Sequence, residues 1–227
     1  MNGNFQWPPL ESDPEIFTNY SQKLGLPENI SFKELLSLDY KDMQTVDTPV
    51  LSVIVSYEPS DPYVLNNNQL KGANYTPFFM KQTEVLDNAC GLIAILHSIG
   101  HNIENLNVNS DSPIGKFYAT VKNFNAEERA KALESNDEFK NFHYEFSEQG
   151  QSNILQEQYD VKNHFVAFVY HEGNLIELDG LRDGPYVVKE NIKSEELLDA
   201  TIEELRKRLA GSHITENLAM MYFTKEN

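Results

Sequence analysis

Cys90 is the single cysteine of the 227-residue sequence, and it stands at the head of an apolar run, Asn88-Ala89-Cys90-Gly91 leading into Leu92, Ile93, Ile95, Leu96 and Ile99. That spacing is helical, with Gly100 as the expected stop, so the thiol falls in the first turn of a short buried helix. Unpaired backbone N–H groups at a helix N-terminus favour negative charge, and a sulfur placed there is a better nucleophile. Most lone cysteines are small apolar core residues. A chemical role therefore requires partners: a base within hydrogen-bond reach and a group that holds that base in the right tautomer.

Six histidines compete for the part of base. His97 follows Cys90 by seven residues, roughly 10 Å up the same helix at about 1.5 Å per residue, which is too far to touch it. His101, His143, His171 and His213 lie in polar or terminal contexts and are expected at the surface. His164 opens the run Phe165-Val166-Ala167-Phe168-Val169-Tyr170, the signature of a buried strand, directly after a long polar stretch. An imidazole there is held rigidly yet can be reached. Asp179, at the end of the next strand, is the natural orienting acid. An ideal hairpin centred near Gly173 would place His164 opposite about residue 182, leaving Asp179 some 3 residues off at roughly 3.3 Å each. Asp183 is the rival on register alone, and Asp179 needs a bulge or a leaning His164 to make contact. Gln82, upstream of Cys90, is the candidate to stabilise negative charge on an attacked carbonyl.

The elements that must position these residues read as follows. Asp13-Pro14-Glu15 caps a helix with Ile16, Phe17, Tyr20 and Leu24 on one stripe and Gly25 as its end. Ser31 and Glu34 have capping-box spacing before Leu35, Leu36 and Leu38, which predicts a second small helix. Val50 to Tyr57 is β-branched and apolar, hence a buried strand, and Pro59 to Asn68 is a loop. From Ser112-Pro113 to about Asn141 the pattern is helical. Glu145 to Lys162 is rich in Gln, Glu and Ser and reads as a long loop, a length that in compact domains is usually functional or disordered. Leu175 to Asp179 pairs back on the His164 strand. Ser194 to Ala210 is amphipathic, closed by Gly211, and Asn217 to Phe223 is a last strand. The sum is an α+β fold in one domain over 1–227, a central antiparallel sheet flanked by helices.

Composition narrows the chemistry. One cysteine excludes an internal disulfide framework and a cysteine-rich zinc site, and fits a reducing compartment. A net charge of -17 with scattered Lys and Arg argues against nucleic acid and for basic partners. The opening residues lack a charged and apolar leader pattern, and no apolar run nears membrane-spanning length. The expectation is a soluble chain, monomeric by default, working without membrane in the cytoplasm, with the nucleus left open.

Taken together, Met80-Lys81-Gln82-Thr83, Asn88-Ala89-Cys90-Gly91, His164 and Glu177-Leu178-Asp179-Gly180 resemble the ubiquitin carboxyl-terminal hydrolase family of papain-like cysteine peptidases. Trp7, Pro9-Leu10-Glu11-Ser12, Pro14-Glu15, Leu24-Gly25-Leu26 and Asn217-Leu218-Ala219-Met220 extend the likeness to almost the whole chain, in the form of the short single-domain members. The resemblance implies Cys90 as nucleophile, His164 as base and later acid, Asp179 rather than Asp183 as orienting carboxylate, and Gln82 as oxyanion donor. One departure stands out. Members of that family place this glutamine nearer the cysteine, whereas here Gln82 precedes Cys90 by eight residues, as though Glu84 to Asp87 held extra ones.

The resemblance also implies that 145–162 is a loop crossing the active site, admitting a flexible chain end and excluding folded adducts. The implied activity is thiol-dependent release of small or unstructured groups from the C-terminal glycine of ubiquitin through an acyl-enzyme, within ubiquitin-dependent protein breakdown. No cofactor and no metal is implied, and acceptance of Nedd8 is left open. Ubiquitin's tail is basic and ends in glycines, which gives the acidic surplus a purpose. The alternatives are a papain-like acyltransferase with the same site and a ubiquitin-binding module weakened in catalysis by its displaced Gln82.

Overall fold

In the computed structural model, residues 5–60, 69–70, 77–150 and 162–226 are described. Helix α1 (Pro14–Leu24) starts where the sequence places it, with the Asp13 side chain accepting from the N–H groups of Glu15 and Ile16. Strand β1 (Ile30–Glu34) follows, then the one-turn helix α2 (Tyr40–Met43) and strand β2 (Val50–Pro59). Helix α3 (Cys90–Asn102) leads to α4 (Pro113–Val121), α5 (Ala126–Glu134) and α6 (Asp137–Ser147). Strands β3 (His164–His171), β4 (Asn174–Leu178) and β5 (Tyr186–Glu190) precede α7 (Leu197–Ala210) and β6 (Ile214–Lys225).

The strands form one antiparallel sheet in the order β1-β6-β2-β3-β4-β5. Both faces are covered, which is why β2, β3 and β6 are nearly continuous in apolar character instead of alternating with polar residues. Ile54, Phe165, Ala167, Met221 and Phe223 join the core under α1 and α3. Val53, Val55, Val166, Phe168, Met220 and Tyr222 join a second core under α7. Residues 90 to 100 of α3 are buried all round, so this helix is an interior rod between the sheet and the α4–α6 layer, and it carries Cys90 at its first position.

Several expectations change. Ser31 and Glu34 do not open a helix; they lie in β1, where Ile30 and Phe32 face inward and the segment pairs with β6 from Ile30–Lys225 to Glu34–Met221. Tertiary pairing overrides the local capping pattern. The outer edge of β1 is closed by Thr18 of α1, whose hydroxyl accepts from Phe32 N–H at 2.9 Å. Gly100 does not end α3. It sits where a Cβ would come 2.5 Å from the Phe78 ring and 2.6 Å from the Tyr118 ring, so its lack of a side chain serves close packing, and the helix runs on to Asn102.

The helical stretch after Ser112 is three helices because Asn125 and Asn136 each cap a new start, Asn125 with Glu128 in a reciprocal capping box. Glu145 to Ser147, expected in the long loop, belong to α6, while 151–161, the body of that loop, and 61–68, within the expected loop after β2, fall outside the described residues. Strand β5 was not foreseen. It is held by β4 across a register shift between Leu175 and Ile176. Among the described residues no helix is long and apolar enough to cross a membrane.

Candidate active site

Cys90 enters α3 behind Ala89, whose position supplies no side-chain cap, so the first N–H groups of the helix are left near the sulfur. The chain reaches it through a 3-10 turn at Glu84–Leu86, closed by Leu86 N–H on Thr83 O at 3.0 Å and followed by Ala89 N–H on Leu86 O at 2.9 Å. Cys90 is 7 % exposed. It is thus buried, on a backbone fixed by α3.

His164 begins β3 and pairs with Tyr57 of β2. The β3–β4 hairpin turns at Glu172-Gly173, both at positive φ, and its ladder ends at Ala167–Leu178. Beyond that pair β4 leaves the sheet: Arg182 N–H bonds Asp179 O at 3.0 Å, and Leu181 N–H bonds Asp179 Oδ1 at 3.0 Å. The chain thus curls at Asp179, where an ideal ladder would have carried it past. His164 Nε2 and Asp179 Oδ1 lie 2.7 Å apart. Neither a bulge in the hairpin nor Asp183 is involved; Asp183 is exposed, with Lys81 Nζ at 3.7 Å.

Burial opposes charge on His164, but hydrogen bonds to Asp179 and to Cys90 outweigh it and raise the imidazole to about 10. Burial also pushes the Asp179 carboxyl up, and here the His164 bond, the Leu181 N–H and the nearby Arg182 charge prevail, so its net shift is downward. The site therefore holds an imidazolium between a carboxylate and a sulfur.

Gln82 lies on the segment before the 3-10 turn. Its backbone N–H donates to Gly180 O at 2.8 Å, next to Asp179, and its Nε2 donates to Asp87 O at 2.6 Å. A carbonyl acceptor at that place requires the amide nitrogen there, which fixes the orientation of the group. One N–H of Nε2 is thus engaged, a second remains, and Oε1 is buried with no protein partner. The residues of the lengthened spacing are accounted for: they form the 3-10 turn, and Asp87 after it anchors the Gln82 side chain. Glycine at 180 suits this close approach, because a Cβ would lie 3.0 Å from Gln82 Cβ and 3.1 Å from its backbone nitrogen and Gln82 would have to give way.

Residues that the sequence did not mark complete this frame. His97 accepts from Met80 N–H at 3.1 Å and stacks on Phe79, and burial lowers it to about 4, so it stays neutral and able to accept. Arg129 of α5 donates to Phe79 O at 2.8 Å, and Lys81 N–H bonds Ala126 O at 3.2 Å. A histidine seven residues into the Cys90 helix was visible, but its partner lies seventeen residues upstream, and only folding brings the two together.

His143 and His171 are buried, correcting the expectation of surface positions, and His101 is partly buried. His143 bonds Pro8 O at 2.6 Å and His101 bonds Tyr170 O at 2.7 Å, so these two rings find backbone partners as they leave solvent. His213 is exposed as expected. A groove of about 470 Å³ borders the turn before Cys90 and is lined by residues including Trp7, Glu84, Asp87 and Asn88. Among the described residues no cluster of three or more His, Cys, Asp or Glu could hold a metal ion.

The profile of the family described as "Ubiquitin carboxyl-terminal hydrolase, family 1" matches residues 7–210, a stretch that includes all four residues of the site. The chain belongs to the ubiquitin carboxyl-terminal hydrolase family. It is 32% identical over 199 residues to a ubiquitin carboxyl-terminal hydrolase of Drosophila melanogaster, covering 84% of each chain. To the enzyme of the same name from Aplysia californica it is 29% identical over 213 residues, covering 92% of this chain and 98% of that one. Its fold is similar to the crystal structure of the Trichinella spiralis UCH37 catalytic domain bound to ubiquitin vinyl methyl ester, with a TM-score of 0.78, 19% identity and coverage of 98% and 96%. The α+β architecture, a central antiparallel sheet between helical layers, is thus that of the family.

Proposed function

We propose that this protein is a cysteine-type deubiquitinating hydrolase that acts at the C-terminal glycine of ubiquitin. The observation that carries the reading is the line of groups Cys90, His164 and Asp179, with the 2.7 Å His164–Asp179 contact at its end, in a chain of this family. Cys90 Sγ attacks the glycine carbonyl, and the charge that develops on its oxygen is met by the free N–H of Gln82 Nε2 and the first N–H groups of α3. His164 gives its proton to the departing amine as the C–N bond breaks, leaving a thioester on Cys90. Water then attacks the thioester, His164 takes its proton, the C–S bond breaks to release the Cys90 sulfur, and free ubiquitin leaves with a carboxylate terminus. Asp179 keeps the imidazole oriented and offsets its charge throughout.

The favoured leaving groups are small or unstructured, as in the family it resembles. The acidic side chains of Glu84 and Asp87 beside the Cys90 turn suit a basic tail on its way to the sulfur. Ubiquitin carrying a C-terminal electrophile tests the reading by mass spectrometry. A single adduct of one ubiquitin per chain, absent in Cys90→Ser, is the expected result; wild-type protein that binds ubiquitin yet forms no adduct would overturn it and leave a binding module. Hydrolysis that requires a non-water acceptor would instead reveal an acyltransferase.

A further inference from the structure

Two residues before Asp179 stands Glu177, fully buried and surrounded by guanidinium groups. Its carboxylate takes Arg208 Nη1 at 2.7 Å and Nη2 at 3.1 Å, and Arg182 Nη1 at 3.0 Å. Arg208 comes from α7 and also donates Nε to Glu204 at 2.8 Å, so two carboxylates balance two guanidinium groups. Arg182 closes the Asp179 turn through its backbone, and its guanidinium carbon lies over the Tyr186 ring of β5, 3.2 Å from the ring centre.

A cluster of this kind is a poor way to hold a helix on a sheet, because desolvation of the charges cancels much of their attraction. What it supplies is direction: planar guanidinium forks fix the angle and distance of what they grip. Here the thing gripped at one end is the curl that carries Asp179. The opposite side of the same curl is held by Gln82 N–H on Gly180 O and by Lys81 Nζ on Arg182 O at 2.8 Å.

We propose that Arg182 is a positioning residue for Asp179, suspending the acid-bearing turn from Glu177 and α7 so that the carboxylate meets His164 at a fixed place. The inference rests on the reading of Asp179 as the orienting acid. The charge of His164 responds to Asp179 and to Cys90, so a displaced Asp179 weakens the hold on the imidazolium.

Turnover of a fluorogenic ubiquitin C-terminal amide by the full chain, together with NMR titration of the His164 ring, tests it in Arg182→Gln, Arg182→Lys and Asp179→Asn. Arg182→Gln is expected to lower kcat about tenfold with KM within about twofold, as a slight misplacement of a reacting group does. It is also expected to move the His164 titration to lower pH by about half a unit or more. Arg182→Lys, which keeps the charge and loses the planar guanidinium that reaches Glu177 and covers Tyr186, should fall between it and the wild type. A lowered melting temperature with kcat and the His164 titration unchanged would make Arg182 a staple of the fold and overturn the proposal. If Arg182→Gln fails to fold, Arg182→Lys decides: a loss of about threefold or more in kcat supports the proposal, and wild-type turnover overturns it. Wild-type turnover in Asp179→Asn would remove the underlying reading as well; loss there without loss in Arg182→Gln would remove the inference alone.

Discussion

At the scale of single residues, the proposed chemistry turns on an imidazole that is charged while its neighbours are not all neutral. His164 is raised to about 10, so the bonds it makes as a cation contribute stability in full below its ordinary value of about 6.5 and lose it as pH rises through about 10. Asp179 is depressed, and its contribution is present above its ordinary value of about 3.9 and lost as pH falls through the lower folded value. Wild type minus His164→Gln in denaturant melts should therefore show a stability difference that is level below about pH 6, falls steadily through neutrality and is gone above about pH 10. A difference that instead grows with pH would contradict the assigned charge. Gln82→Ala should still form the covalent adduct but hydrolyse a ubiquitin amide on the order of 10²-fold more slowly, measured as kcat. An equal loss in adduct formation and hydrolysis would mean that Gln82 serves binding.

At the scale of elements, the acid turn and the Gln82 segment are one unit. Gly180 lets them touch, and Gly180→Ala is expected to destabilise the protein by about 1–3 kcal/mol through overpacking, with kcat falling alongside because Gln82 must move. Thermal melts and turnover on the same sample check both. On the other face, Arg208→Ala removes two contacts to the wholly buried Glu177 and leaves that carboxylate with Arg182; breaking a buried pair costs about 3–5 kcal/mol. Urea unfolding should record a loss in this range. The contrast between these two sites is physical: one is a steric contact between backbones, the other a desolvated ion cluster.

At the scale of the whole molecule, two covered faces and an interior helix explain how a thiol can be reactive yet almost enclosed. Residues 90 to 100 of α3 are buried, and Cys90 meets its partners at the rim where α3, β3 and the Asp179 curl converge. The net charge of -17 gives the molecule a long-range field for a basic tail. Raising ionic strength from about 0.01 M to about 0.15 M shortens the Debye length from about 30 to about 8 Å. KM for a ubiquitin substrate should rise several-fold over that range with kcat nearly constant. A KM insensitive to salt would mean that the acid is only a solubilising surface.

Local chemistry was readable along the chain where local physics decides it. The Asp13-Pro14 cap, the helix opening at Cys90, the strand opening at His164 and the hairpin turn at Glu172-Gly173 all depend on neighbours within a few residues. The resemblance to the family, carried by the motifs around these positions, marked Cys90, His164, Asp179 and Gln82 as a set. Where distant segments set the outcome, the sequence was silent or pointed elsewhere. Ser31 and Glu34 carry a helix signal but pair with β6, almost two hundred residues later. Gly100 looks like a stop and is a packing contact for Phe78 and Tyr118. His143 and His171 sit among polar neighbours in sequence and are buried in space. Asp179 and Asp183 could not be separated by register, because the ladder ends at Ala167–Leu178 and the curl that follows is held by Gln82, Lys81 and Arg182. Residue types and short-range order determined which groups could react; the packing of segments remote in the chain decided which of them meet, because hydrogen-bond distance is a property of space and not of spacing.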